Sequence, residues 1–245
     1  MSPVAERLGE ITIAGRYNGP KTSAQGGYAC GALARFVGEP AEVTLRTPPA
    51  LDRSLSVVAG EGRAVRVMDG ETLVAEGRPA EPPSVEPPIR PTFEQALEAR
   101  QMHPGNAIRH PLSCCFVCGP ERSDGLHVSP GPIDAERDVG AAPFEPDDSV
   151  AAEGLVRPEI VWAVLDCPSY VPSMWSGVRT GKGPVSLLGR FTAQRHREVG
   201  ADERLAVVGW PLGGEGRKRH TAAALIDEDG EIAARAIATW IAVRS

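Results

Sequence analysis

Gly70-Glu71-Thr72-Leu73-Val74-Ala75-Glu76-Gly77 and Gly230-Glu231-Ile232-Ala233-Ala234-Arg235-Ala236-Ile237 share a Gly-Glu start and the same hydrophobic alternation. Each follows an aspartate, Asp69 or Asp229, and Asp-Gly between two alternating runs is a tight hairpin signal. Working outward from these turns, the order of elements repeats. In the first half, a short strand (Ile11 to Tyr17) and a Gly-containing turn lead to an apolar helix, roughly Ala24 to Val37. Strand-like runs follow at Glu42–Thr47, Ser54–Ala59, Ala64–Met68 and Thr72–Gly77. In the second half, a strand near Val139–Phe144 precedes a helix from about Pro158 to Asp166, with Pro168 read as its stop. Strands are then predicted near Ser186–Gln194, Arg204–Gly209, His220–Asp227 and Ile232–Val243. Any two α+β meanders look somewhat alike, but here helix position and hairpin agree, which favours an internal duplication.

Between the halves, Pro82, Pro83, Pro87, Pro88 and Pro91 crowd into one stretch, which reads as an extended, semi-rigid linker. A short helix from Thr92 to Arg100 is expected after it, with Thr92 as N-cap and an imperfect capping box at Gln95, since Pro91 precedes it. The implied domains are 1–78, a linker with a helix at 79–112, and 113–245.

Composition narrows the function. The 245 residues are 42% hydrophobic and 24% charged, as in an ordinary globular protein. A net charge of -6 argues against non-specific nucleic-acid binding, which wants a basic face. No apolar run reaches the roughly 18 residues of a membrane span, so no membrane partner is expected. The N-terminal MSPVAERLGE carries charges where a signal peptide places its apolar core. Five cysteines, three of them at 114, 115 and 118, do not resemble a secreted disulfide framework, and the expected compartment is the cytoplasm.

A helix wrapped by a curved antiparallel sheet in the order β-α-β-β-β-β is the hotdog arrangement, and such units pair to cover their helices. Gln25-Gly26-Gly27-Tyr28-Ala29-Cys30-Gly31-Ala32-Leu33-Ala34 resembles the Gly-Gly helix start of hotdog acyl-CoA thioesterases. Arg157-Pro158-Glu159-Ile160-Val161-Trp162-Ala163-Val164-Leu165-Asp166 resembles the same helix ending in the family's acidic residue. The resemblance implies an α+β tandem (double) hotdog and covers most of the chain.

Thioester hydrolysis needs donors for the carbonyl oxygen and a carboxylate that attacks or activates water. Unpaired N–H groups at a helix N-terminus supply the donors, and glycine lets a substrate come close. By resemblance to the phenylacetyl-CoA type, Gln25 stands at the family's His and Ala34 at its acid, so the first half keeps Gly26 and Gly27 and lacks the acid. The second half replaces the Gly-Gly start by Pro158-Glu159 and keeps Asp166. One composite catalytic site is therefore expected, from Gly26, Gly27 and Asp166. Close packing is the competing explanation for the glycines, and helix-end preference the one for Asp166. An Asp closing a buried apolar run must be paired or raised in pKa, which suits a base. Gln25, Tyr28, Trp162 and Tyr170 are expected to line the acyl site.

The acyl-CoA thioesterase II type, also a double hotdog, adds a Thr or Ser and a Gln. Leu188 or Gly189 and Ala238 fall at those positions, so these partners are missing; Ser186, Thr192 and Thr239 are nearby polar residues. Arg217 and Lys218, after Gly213-Gly214-Glu215-Gly216, are candidates for CoA phosphates, with a solvated hairpin the competing reading. Cys115-Phe116-Val117-Cys118-Gly119 is one C-x-x-C, a weak metal candidate that His103, His110, Cys114 or His127 could complete. A similar Cys-Phe-x-Cys-Gly loop precedes the hotdog in relatives of the phenylacetyl-CoA type, which implies a family loop and no metal. All five histidines (103, 110, 127, 196, 220) lie outside the predicted hotdog helices, against a hotdog dehydratase. The expectation is an acyl-CoA thioesterase with no cofactor beyond coenzyme A in its substrate, as a single fused pair or a homodimer of it, or alternatively a non-catalytic acyl or CoA binder.

Overall fold

The computed structural model describes residues 6–107, 112–180 and 183–243. The first half supplies β1 (Arg7–Thr12), α1 (Gly26–Ala34), β2 (Ala41–Leu45), β3 (Ser54–Ala59), β4 (Val65–Asp69) and β5 (Thr72–Pro79). After α2 (Phe93–Gln101) come β6 (Gly131–Asp134), β7 (Val139–Phe144) and a short hairpin of β8 (Ala151–Ala152) and β9 (Leu155–Val156). The rest is α3 (Pro158–Ser169), α4 (Pro172–Thr180), β10 (Ser186–Arg195), β11 (Leu205–Glu215), β12 (Lys218–Ile226) and β13 (Ile232–Ala242).

One antiparallel sheet of 11 strands runs through both halves in the order β1-β3-β4-β5-β2-β10-β13-β12-β11-β7-β6. Read outward from its middle, each half lists its strands in the same order: β2-β5-β4-β3-β1 on one side, β10-β13-β12-β11-β7 on the other. The seam is the β2–β10 pair, with Ala41 opposite Ala193 and Thr44 opposite Arg190. The two hairpin turns carry left-handed glycines, Gly70 (φ 59°) and Gly230 (φ 79°). Asp227 braces the second by accepting from the Asp229 and Glu231 amides.

Helices α1 and α3 lie against each other inside the sheet. Gly27 and Gly31, one turn apart, share the face that meets α3. A Cβ on Gly27 would come within 2.6 Å of the Trp162 carbonyl oxygen and Asp166 Cβ, and one on Gly31 within 2.7 Å of Glu159 Cα. Only glycine allows so close an approach. Every residue of α3 from Ile160 to Ser169 is buried.

The structure departs from the sequence expectations in several places. Strand β1 starts earlier and ends at Thr12, because Gly15–Tyr17 coil into a 3-10 turn that stacks Tyr17 on Tyr28, ring centroids 4.2 Å apart. Helix α3 does not stop before Pro168 but ends at Ser169. Pro168 forgoes the one helical bond it would have made to the Val164 carbonyl, and Ser169 Oγ donates to the Asp166 carbonyl at 2.7 Å. Asp166 thus sits within the helix, not at its tip. The Thr92 capping box is complete, Gln95 Oε1 accepting from the Thr92 amide and Thr92 Oγ1 from the Gln95 amide. Helix α4 and strand β6 were not foreseen. The Pro-rich stretch is extended but is no free spacer: Val85 and Ile89 pack on Val139, Val208, Trp210, Ala222, Ala224 and Ile226 on the outer face of the second half's sheet. Beside it, Ala96 and Ala99 of α2 pack on Ala141 and Ala206.

Candidate active site

Gln25 caps α1. Its Oε1 accepts from the Tyr28 amide at 2.6 Å, which leaves the amide nitrogen Nε2 to point at α3. There Nε2 donates to Asp166 Oδ2 at 2.5 Å, and the Gly27 amide donates to the same oxygen at 2.8 Å. The second carboxylate oxygen, Oδ1, is buried without a hydrogen-bond partner among the described residues. Asp166 is 3% exposed. Burial pushes its carboxyl up to about 7, opposed by the Gly27 N–H and assisted by the nearby Cys115. A carboxyl in that range can exchange a proton near neutrality.

The structure therefore brings Gly26, Gly27, Gln25 and Asp166 into one cluster, from opposite halves of the chain. It gives the glycines different tasks. The Gly27 N–H is occupied by Asp166, and its Cβ position is filled by α3. Gly26 is half-buried, and its amide meets no acceptor among the described residues. A Cβ there would touch Leu188 at 3.0 Å and Asp166 Oδ2 at 3.3 Å. Leu188 of β10 closes this end of the cluster.

The remaining sequence candidates are dispersed. Tyr28 stacks on Tyr17, and burial, with Glu159 nearby, raises its hydroxyl well above the usual range. Trp162 is fully buried against Phe191, its ring centroid 5.7 Å away, and its Nε1 donates to Glu39 at 2.8 Å. Tyr170 lies beyond the end of α3 in an aromatic group with Trp175 and Trp240. Arg217 and Lys218 sit at the exposed tip of the β11–β12 hairpin, where Glu215, Gly216 and Ile241 complete a depression of about 350 Å³. Lys218 pairs with Ile241 and Ile241 with Leu187, so the tip lies at the same end of the sheet as Leu188.

Cys115 and Cys118 are buried and meet a third thiol, Cys167, beside Asp166. Sequence reading missed Cys167 and placed Leu188 only where a polar partner is lacking. Neither carries a local signal, because each acquires its neighbour only through the meeting of α3 or β10 with distant chain. Of the histidines weighed as additional metal ligands, His110 lies outside the described residues, and His103 is committed elsewhere, Nδ1 at 2.6 Å from the Pro130 carbonyl.

No protein-family model matches the chain, and no curated protein is similar to it in sequence at a significant level. Solved structures are similar over its whole length. A TesB protein of Mycobacterium avium subspecies paratuberculosis aligns over 98% of this chain and 96% of its own, at 11% identity and a TM-score of 0.61. A conserved protein of unknown function with a hot dog fold from Alicyclobacillus acidocaldarius aligns over 96% and 93%, at 13% identity and a TM-score of 0.61. A putative thioesterase II from Thermobifida fusca aligns over 98% and 96%, at 12% identity and a TM-score of 0.59. The chain has the hotdog fold. Among the described residues no helix is long and apolar enough to cross a membrane.

Proposed function

We propose that the chain is a double hotdog, two fused units with boundaries near 1–78 and 113–245, which hydrolyses an acyl-CoA or related thioester at one composite site. The observation that supports this reading above all is the contact between the N-terminus of α1 and Asp166, the Gly27 amide donating to Oδ2 at 2.8 Å. The free Gly26 N–H would polarise the thioester carbonyl, where a well-aimed donor is worth about 3 kcal/mol in the transition state. Asp166 would take a proton from the attacking water, with Gln25 and the Gly27 amide holding its carboxylate. The C–S bond then breaks, and the thiolate leaves and is protonated, giving a carboxylate and a thiol. Leu188 would move aside to admit the acyl group. The basic hairpin tip at Arg217 and Lys218, at the same end of the sheet, would meet the CoA phosphates. No cofactor takes part in these steps. The chain would act in the cytoplasm, with no nucleic-acid partner, alone or as a homodimer of the fused pair.

The test is thiol release from a panel of acyl-CoA substrates, wild type against Asp166→Asn. Turnover in the wild type and a fall of about 100-fold or more in kcat for the variant is expected. No release from any substrate would sink the hydrolase reading. A second reading, a non-catalytic acyl or CoA binder, draws on the closed site and on Leu188, Gly189 and Ala238, none of which supplies a polar side chain beside Asp166. Tight binding of an acyl-CoA without turnover would favour it.

A further inference from the structure

The loop that carries Cys115 and Cys118 is built to present sulfur inward. The Cys115 amide donates to the Leu112 carbonyl, and the Phe116 amide to that of Asn18. The Val128 amide donates to Val117 O, and Ser129 Oγ to Cys118 O at 2.9 Å. Gly119 closes the turn by donating to the Cys115 carbonyl at 2.9 Å, so tightly that a Cβ on it would lie 2.5 Å from the Cys115 backbone. Across from the loop stands Cys167 of α3. The Sγ atoms of Cys115, Cys118 and Cys167 all lie within 4.8 Å of one another, at 1%, 2% and 8% exposure.

Three thiols converging from two separate segments need an explanation, because sulfur–sulfur contacts add little to packing that alanine or valine would not give. Thiolates around tetrahedral zinc, each about 2.3 Å from the ion, stand about 3.8 Å apart, which suits this spacing.

We propose that Cys115, Cys118 and Cys167 form a thiolate site for one zinc ion, which ties the loop to α3 one residue after Asp166. Three S–H bonds are exchanged for three S–Zn bonds, three protons pass to solvent, and a water or small ligand completes the tetrahedron. Soft thiolate donors favour zinc over magnesium or calcium. Cys30 and Cys114 take no part: Cys30 is buried in α1, and Cys114 is half-buried against the Gly19 carbonyl.

The full chain, expressed in zinc-supplemented medium and purified under reducing conditions without chelator, is analysed for metal, then stripped and reloaded with Co²⁺. About one equivalent of zinc and the intense near-ultraviolet absorption of cobalt–thiolate bonds are expected. Cys118→Ser and Cys167→Ser should lower the metal content at least tenfold, whereas Cys30→Ser and Cys114→Ser should retain it. A wild type that holds no zinc and develops no cobalt–thiolate band overturns the proposal. So does a Cys167→Ser protein that keeps its full equivalent, or a disulfide among the three in freshly purified protein. The wild-type cobalt spectrum decides the matter even where a serine variant fails to fold. Metal content is read without turnover, so the outcome is independent of whether the chain hydrolyses thioesters.

Discussion

The two halves share a strand order and differ in insulation. In β4 of the first half, buried Val65 and Val67 alternate with exposed or half-exposed neighbours, so one face meets the core and the other water. In the second half, Leu205–Trp210 and Thr221–Ile226 are buried at every position. The Pro-rich strap and α2 cover the outer face there, and a sheet covered on both sides loses its polar alternation. The helices differ in parallel: α1 offers glycines and backbone amides, α3 a buried carboxylate and a thiol. The more enclosed half carries the groups whose chemistry depends on exclusion of water, and the more open half supplies the donors.

This contrast can be broken most violently by Ala34→Asp, which gives α1 the acid it lacks. Ala34 is 2% exposed, and an unpartnered carboxylate there should cost about 3 kcal/mol or more, read as a lower urea midpoint. Gly27→Ala attacks the close approach itself. Its Cβ would fall 2.6 Å from α3 backbone, so a loss of about 2–3 kcal/mol is expected. Glu159→Ala, at the half-buried start of α3, keeps the Cβ and the backbone approach and should cost about 1 kcal/mol or less. Equal effects at these two sites would show that the helices are not specialised. Ile89→Ala loosens the strap and should cost about 1 kcal/mol, since Ile89 is only half-buried on the outer face. The smallest effect near neutrality is a titration. Every histidine lies beyond residue 100, and burial holds buried His103 below its ordinary 6.5 despite its bond to the Pro130 carbonyl. The unfolded chain therefore takes up this proton first as pH falls. Stability conferred by neutral His103 is complete above about 6.5 and is lost as pH drops through that value toward the lowered one. His103→Gln should flatten that part of the stability profile, measured by urea unfolding from pH 7 to 5.

Much of this was legible in the sequence because it rests on local chemistry. Asp-Gly turns, alternation in β5 and β13, and the Thr92 cap are written in adjacent residues. That Gly26, Gly27 and Asp166 would share one site was an expectation from the family resemblance, but that Asp166 would take the Gly27 N–H was not. Nor was the double role of Gln25, since glutamine is an uncommon N-cap and its Nε2 finds Asp166 only once α3 is in place. The strap's packing was hidden for a related reason. Prolines announce an extended chain but not the surface it lies on. Cys167 belongs with Cys115 and Cys118 only in three dimensions, and a single C-x-x-C gives no hint of a third sulfur arriving from a helix.

The β2–β10 seam has one more consequence. Both strands belong to the same chain, so the meeting of α1 with α3 is a unimolecular event. A cluster assembled across two separate subunits dissolves on dilution, whereas this one keeps the same occupancy at nanomolar and millimolar protein. The linkage also frees each half from mirroring the other: a change on the glycine side need not be repeated on the aspartate side, as it would in a symmetric pair.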